Sequence, residues 1–375
     1  MIYADPLGSV GFSKNLFGIL IIIVENQIHT NQNLKTKDMD RLKTTYMGLA
    51  LKNPLIMGAC NLTLDLDTAK KIEKAGASAI VFKSLFEEQI NLESLQMEED
   101  LQEYNERHAE MVNLFPNLEH AGPQEHLEKL SELKKSVQIP VIGSLNCVNR
   151  PTWVEYAKEM EKTGIDALEL NFYANPKDKN QSAETIEKEQ IGILKEIKSK
   201  VKIPVSVKLS FFYTNPLQII SQMDKAGVDG FVLFNRLFQP DIDVDKQDLY
   251  NPFNLSQMGD YRLPVRYAGL LHQQLKGDIC SNTGIFTGDD MARVILAGAQ
   301  VAQVVSTVYK NKISHITTML KDLDGWMEKN KYESLDDFRG KLSKANTKDP
   351  YAYRRAQYVD LLMKPVEVMK KYPQV

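Results

Sequence analysis

Three cysteines in 375 residues, at positions 60, 147 and 280, are too few and too scattered for a disulfide framework or a zinc knuckle. That usage implies a reducing compartment, so a cytoplasmic location is expected. No basic block is present. With 46 Lys+Arg against 49 Asp+Glu the formal charge is −3, which disfavours nucleic acid as a partner. The apolar run Leu16 to Val24 has nine residues, too short to span a bilayer, and lacks the basic n-region and small-residue cleavage site of a signal peptide. No Lys/Arg face accompanies it either, so a membrane-surface anchor is disfavoured and no integral membrane segment is expected. A Gly-x-Gly-x-x-Gly after the first strand signal is also missing, which leaves a Rossmann dinucleotide site unsupported.

What is present is ordinary globular material, 43% hydrophobic and 25% charged, enough for a large buried core. Residues 1–43, apolar and then rich in Asn, Gln, Lys and Thr, read as a poorly ordered extension. From Thr44 a small hairpin leads into a series of apolar strands: 55–59, 79–82, 141–145, 167–171, 205–209, 230–234, 278–281 and 301–305. Helix-periodic sequence separates them. The pattern of helix, Gly, two residues, strand recurs at Gly76, Gly164, Gly227 and Gly298, as expected of a parallel α/β sheet. Eight such units within roughly 250 residues or somewhat more predict a (β/α)8 TIM barrel over residues 44–340, with a C-terminal helical tail at 341–375. Two connections, Ser84 to Pro123 and Asn235 to Leu263, are long enough to carry lids or substrate walls.

The stretch from Asp278 to Thr307 organises the rest. Asn282-Thr283-Gly284 is a small-residue turn, and Thr287-Gly288-Asp289-Asp290 reads as a capping box opening a helix that Gly298 ends. The next strand closes on Ser306-Thr307. Two adjacent strand ends with small or hydroxyl residues offer backbone amides to one anion, so a phosphate grip is predicted, although ordinary βαβ turns would look similar singly.

In a barrel the chemistry sits at the strand C-termini. Those ends carry Ala59, Lys83-Ser84, Asn146, Asn171, Lys208 and Asn235-Arg236. Buried lysines at two strand ends need an anionic partner. A reduced flavin, negative at its N1–C2=O edge, supplies one, and asparagines suit the donor and acceptor pattern of its pyrimidine ring. Any one of these residues taken alone is as readily a solvated rim residue.

Asn53-Pro54-Leu55, Phe82-Lys83-Ser84, Phe115-Pro116-Asn117, Glu169-Leu170-Asn171, Val207-Lys208-Leu209, Phe234-Asn235, Thr283 to Gly288 and Leu296 to Ala299 together resemble the dihydroorotate dehydrogenase family, FMN-containing barrels, over Thr44 to about Gly340. Ser84 to Ile90 and Leu233 to Arg236 resemble its bacterial dihydroorotate dehydrogenase-like branch. The resemblance implies an oxidoreductase acting on a CH–CH bond, in pyrimidine biosynthesis for the family proper. It implies Lys208 beside the flavin N1–C2=O edge and Lys83 at the ring or substrate edge. Asn146, Asn171 and Asn235 would surround ring and substrate, with Ala59, Ser84, Thr283, Gly284, Ser306 and Thr307 completing the FMN contacts. Asn171, Asn235 and Arg236 would face the substrate.

The substrate side departs from the family pattern. Where the family has a Cys or Ser base, the loop Asn171-Phe172-Tyr173-Ala174-Asn175-Pro176 has Ala174, which accepts no proton; a missing base typically forfeits about 10²–10⁴ in rate. Met111 and Arg236 replace a family Asn and Ser/Thr. Tyr173 or Cys147 is the substitute read from the sequence, and a phenol is a better acid than base near neutral pH. Three readings stay open: an FMN oxidoreductase of a small molecule with Lys83, Tyr173 and Lys208 as its catalytic residues, dihydroorotate oxidation itself, and a flavin-binding electron-transfer subunit. A tRNA-modifying flavin barrel is disfavoured by the charge balance. The tail after Ser343 is compatible with packing on a second copy, as in a homodimer, or back onto the barrel.

Overall fold

The computed structural model describes residues 40–90, 123–173, 179–236, 240–250, 252 and 255–349, with 352–354, 359, 363 and 370 beyond them. Eight parallel strands form the centre: β1 Leu55–Met57, β2 Ala79–Val81, β3 Val141–Asn146, β4 Ala167–Phe172, β5 Val205–Leu209, β6 Gly230–Leu233, β7 Asp278–Asn282 and β8 Val301–Val304. Each pairs with the next, β8 pairs with β1, and the sheet closes on itself. A short strand, Leu85–Phe86, adds to the outer end of β3. Strand alternation then sorts every side chain inward or outward. Leu55, Ile80, Leu168, Val207, Phe231 and Ile279 face out against the helices, in one continuous apolar layer.

The helices between strands are Leu66–Ala75 (α1), Pro123–Ser136 (α2), Arg150–Lys162 (α3), Ala183–Lys200 (α4), Pro216–Lys225 (α5), Arg262–Leu271 (α6), Gly288–Ala297 (α7), Ser306–Asn311 (α8) and His315–Lys329 (α9). The expected capping box at Thr287 is present, with the hydroxyl accepting from Asp290 N at 3.2 Å and the Asp290 carboxylate accepting from Thr287 N at 3.1 Å. None of the described helices is long and apolar enough to cross a membrane.

The N-terminal rim is built with a repeated device. An amide entering a strand lacks a ladder partner, and a carboxylate from a helix end takes it. Glu73 of α1 accepts from Gln138 and Ile139 ahead of β3, Glu161 of α3 from Lys202 and Ile203 ahead of β5, and Asp224 of α5 from Lys276 and Gly277 ahead of β7. The expected hairpin, Thr44–Tyr46 with Leu49–Leu51, closes this end. Tyr46 and Met47 insert among inward-facing Ile56, Ala79, Ile142, Ala167, Val232, Cys280 and Val301, so the lower interior is a packed apolar plug.

The long connection after β6 contains an antiparallel hairpin, Asp241–Asp243 with Asp248–Tyr250, and a segment from Ser256 to Tyr261 that runs into α6. Residues 341–349 form turns, and most of the tail beyond them lies outside the described residues. Tyr353 then lies back on α6: its hydroxyl donates to Leu342 O at 2.6 Å and Arg266 donates to its carbonyl at 3.3 Å.

Candidate active site at the barrel mouth

Above the apolar plug the same inward positions become polar. Alternation carries Cys280 up to Asn282, Ala167 to Glu169 and Asn171, Ile142 to Ser144 and Asn146, and Val301 to Gln303, while Lys208 lies beside Asn171 in register. Lys208 is 6% exposed and Glu169 1%. Lys208 Nζ donates to Gln303 Oε1 at 3.1 Å and stands 3.6 Å from Glu169 Oε1, while Gln303 Nε2 donates to Glu169 Oε2 at 2.8 Å. Three strands thus meet in one buried ammonium, carboxamide and carboxylate. Gly58 is the clearance for it, because a Cβ there would lie 3.0 Å from the Gln303 side chain and 2.8 Å from Val305.

Around this centre the expected residues converge. Asn235 Nδ2 donates to Asn171 Oδ1 at 3.2 Å, and Asn282 Nδ2 reaches Phe234 O at 3.3 Å. Asn146, at the upper end of β3, is 9% exposed. Ser84 and Ser144 share a buried hydroxyl bond of 2.7 Å, which fixes the end of β2 against β3. Ala59 is half-buried against the inner apolar layer, and Lys83 is half-buried beside it in the rim. The buried Glu87 carboxylate pins the following segment to the start of α3. Burial alone would raise its pKa, but the amides of Asn149 and Val148 and the side chains of Asn149 and Thr152 hold it below the usual carboxylate range. Behind Phe82, His126 stacks edge-on at 4.9 Å; burial, then the charges of Lys83 and Lys129, lower its pKa to about 4.

The two turns of the expected phosphate grip are adjacent. Thr283 and Gly284 both have positive φ, +80° and +76°, and a Cβ on Gly284 would stand 2.4 Å from Tyr261 N, so only glycine fits there. The Thr283 hydroxyl donates to Phe234 O at 2.9 Å and Thr307 to Phe286 O at 3.4 Å, which leaves backbone amides as their contribution to an anion. Ser256 bridges the turns: its hydroxyl accepts from Gly284 N at 3.3 Å and its amide donates to Ser306 Oγ at 3.0 Å. Lys310 fastens that bridge through Ser256 O at 2.9 Å and Gln257 Oε1 at 2.8 Å. Arg236 pairs with Asp260 at 2.7 Å, and Asp260 Cβ packs within 2.7 Å of the place a Gly284 Cβ would take. The Arg236 guanidinium is therefore drawn toward this turn.

Glu169, Gln303, Ser256 and Lys310 carry the site's polar connections but were not singled out in the sequence. Glu169 and Gln303 sit inside apolar strands, where a polar residue at every second position is the signal that strand alternation would have given. Cys147, the alternative to Tyr173, is turned away from the mouth. It faces the outer apolar layer, and burial, then Glu87 and Glu88, push its thiol well up. Tyr173, 38% exposed just past β4, stays at the mouth. Ala174 and Met111 lie outside the described residues, which hold no cluster of three or more potential metal ligands.

A cofactor with a terminal phosphate and a planar ring of mixed donors and acceptors fits these residues. The adjacent turns at Thr283-Gly284 and Ser306-Thr307 offer backbone amides to a phosphate, with Gly284 N donating weakly to Ser256 Oγ, and the ammonium and asparagine amides complement a pyrimidine edge.

A family model described as dihydroorotate dehydrogenase matches residues 41–327. Dihydroorotate dehydrogenase B (NAD(+)), catalytic subunit, of Thermoplasma acidophilum is 28% identical over 307 residues, covering 80% of this chain and 99% of that one. Dihydroorotate dehydrogenase A (fumarate) of Lactobacillus helveticus is 25% identical over 226 residues, 57% of this chain and 72% of its own length. The chloroplastic dihydropyrimidine dehydrogenase (NADP(+)) of Arabidopsis thaliana is 24% identical over 235 residues, 57% and 55% of the two chains.

Proposed function

Because this chain belongs to the dihydroorotate dehydrogenase family, we propose that it is an FMN-dependent oxidoreductase of a CH–CH bond in a small cyclic molecule. The observation that carries this reading is the buried Lys208 at the C-terminal end of β5, in register beside Asn171, to which Asn235 donates, at the same end of the barrel as Asn146 and the Gly284 and Ser306 turns. When bound, the flavin supplies a reversible two-electron acceptor.

The chain's own residues do the rest. Lys208 offers positive charge to the N1–C2=O edge, and Asn146, Asn171 and Asn235 orient the ring and the substrate. Lys83, Ser84 and Ala59 line the opposite rim, and Gly284, Ser306 and Thr307, with Thr283, take the phosphate through backbone amides. Arg236 contributes positive charge between the phosphate turn and an anionic substrate. Tyr173 stands where a proton would enter or leave.

With Ala174 in the base position, proton removal from dihydroorotate is unsupported, while a phenol at Tyr173 favours proton donation. The reaction is therefore assigned to a dihydroorotate dehydrogenase-like CH–CH step, with reduction of an unsaturated ring the preferred direction. Dihydroorotate oxidation in pyrimidine biosynthesis is the second reading, favoured by the relatives' names. Those names cite NAD, fumarate and NADP, so the electron partner does not transfer to this chain. The three unpaired cysteines agree with a cytoplasmic setting. A small-molecule substrate and a homodimer complete the proposal, the latter checked by light scattering.

Anaerobic stopped-flow mixing with dihydroorotate separates the readings. Bleaching of the flavin absorbance is expected to be slower than turnover would require, or absent. Bleaching at turnover-competent rates would establish the second reading and end the first.

A further inference from the structure

The ion pair at the centre of the barrel is an expensive thing to bury. Two charges withdrawn from water lose hydration worth several kcal/mol each, and well-packed apolar residues are often as stable or more so. The strands around it supply such residues freely: Ile56, Val81, Ile142 and Val232 occupy equivalent inward positions. Its geometry is also incomplete as a stability device. Glu169 Oε1 has no hydrogen-bond partner and sits 3.6 Å from Lys208 Nζ, beyond hydrogen-bond length, while Gln303 holds both groups, accepting from Lys208 at 3.1 Å and donating to Glu169 at 2.8 Å. Lys208 has three N–H donors, and these contacts use only part of them.

We propose that Glu169 is a positioning residue which, through Gln303, fixes the place and the net charge of Lys208 and so sets how easily the bound flavin is reduced. The inference rests on the reading of this mouth as an FMN site. Its content is a sign. Lys208 alone would favour the electron-rich flavin strongly; the Glu169 carboxylate beneath it opposes that and keeps the cofactor harder to reduce. Two buried charges of opposite sign at different depths give a smaller, more sharply directed field than one, and the carboxamide between them prevents Lys208 from folding down onto the carboxylate. Tyr46 and Cys280 bound the pair from below, and proximity to Glu169 helps push the Tyr46 hydroxyl and the Cys280 thiol up, each chiefly because it is buried. Neither competes for the charge of Lys208.

The test is the reduction equilibrium of bound FMN against a reference dye, in the wild-type protein and in Glu169→Gln. The carboxamide keeps the size and an acceptor for Gln303 but removes the charge and turns a donor toward Lys208. The equilibrium constant is expected to shift toward reduced flavin by roughly tenfold or more, the scale on which one unit charge acts over several ångströms at an effective dielectric of about 20. In the Lys208→Met background the field of the carboxylate itself remains, so the same substitution is expected to shift the equilibrium by a smaller amount, and the difference between the two shifts is the part that Glu169 exerts by positioning Lys208; equal shifts in the two backgrounds overturn the positioning role. A Glu169→Gln protein that binds FMN and reduces at the wild-type equilibrium overturns the inference and leaves the FMN reading standing, whereas a wild-type protein that binds no flavin overturns both. Should Glu169→Gln fail to fold, Gln303→Met decides: it keeps both charges and removes only the bridge, and an unchanged equilibrium overturns the proposal.

Discussion

The two ends of the barrel interior are made from the same strands, two residues apart, and differ in almost every physical respect. At the N-terminal end Tyr46, Met47, Ile56, Ala79, Ala167, Val232 and Val301 form a dry plug, and carboxylates of Glu73, Glu161 and Asp224 cap strand amides in a regular rotation. At the C-terminal end Lys208, Glu169, Gln303, Asn171 and Asn235 replace those apolar residues, and each makes a different contact. The lower half is repetitive because its task is packing; the upper half is irregular because its charged and amide groups are tied to one another across three strands, with donors on Lys208 left over for a ligand. Fold and function are thus separated by depth along the strands.

If that division is right, damage below should lower stability and spare the cofactor. Tyr46→Ala empties a fully buried ring from the plug and is expected to destabilise by about 3–5 kcal/mol, read by urea unfolding, while the FMN affinity of the folded fraction stays within a factor of two or so. An equal loss of flavin affinity would mean the two ends are one unit.

The next effect concerns the wall between them. Burial and the charges of Lys83 and Lys129 lower the His126 pKa from 6.5 to about 4. The unfolded chain therefore binds a proton that the folded one refuses, so this contribution is fully present above pH 6.5 and is lost as pH falls toward 4, up to roughly 3 kcal/mol. His126→Leu should flatten stability against pH in that window; the same slope in wild type and variant would contradict the assignment.

Above, Lys208→Met should slow flavin reduction by roughly 10²-fold in the folded, FMN-bound fraction, and it should also lower the unfolding midpoint because Glu169 is left buried without its counter-charge, measured by anaerobic rapid mixing with a chemical reductant and by denaturation. A wild-type rate in a variant that still binds FMN would remove Lys208 from the site. The smallest effect belongs to the bridge over the phosphate turns: Ser256→Ala loses only the weak contact of its hydroxyl with Gly284 N, because its contacts with Ser306 and Lys310 run through its backbone, and FMN affinity should fall roughly two- to fivefold, followed by flavin fluorescence titration.

How much of this was legible in the sequence follows the same division. All eight strands were readable because a parallel barrel strand is an apolar run of nearly fixed length after a helix and a glycine, and the Thr287 capping box is a local signal with a local cause. Lys208, Asn171 and Asn235 were readable because strand C-termini can be counted. Glu169 and Gln303 were not, since their role depends on which residues three different strands bring opposite each other. Ser256 was hidden for a related reason: it lies in a long connection, far in sequence from the Gly284 and Ser306 turns that it joins. Cys147 stayed open beside Tyr173 as a substitute base because sequence places it near the mouth but does not say that its side chain faces the outer apolar layer.

The claim that the upper half of this barrel is a flavin seat is tested most directly by offering the purified protein FMN and FAD together, releasing whatever it then holds and weighing it by mass spectrometry. The expected result is FMN at one equivalent per chain, lost in parallel with Gly284→Ala, whose added Cβ has no room beside Tyr261 N. FAD in its place, or no flavin at all, would contradict the account.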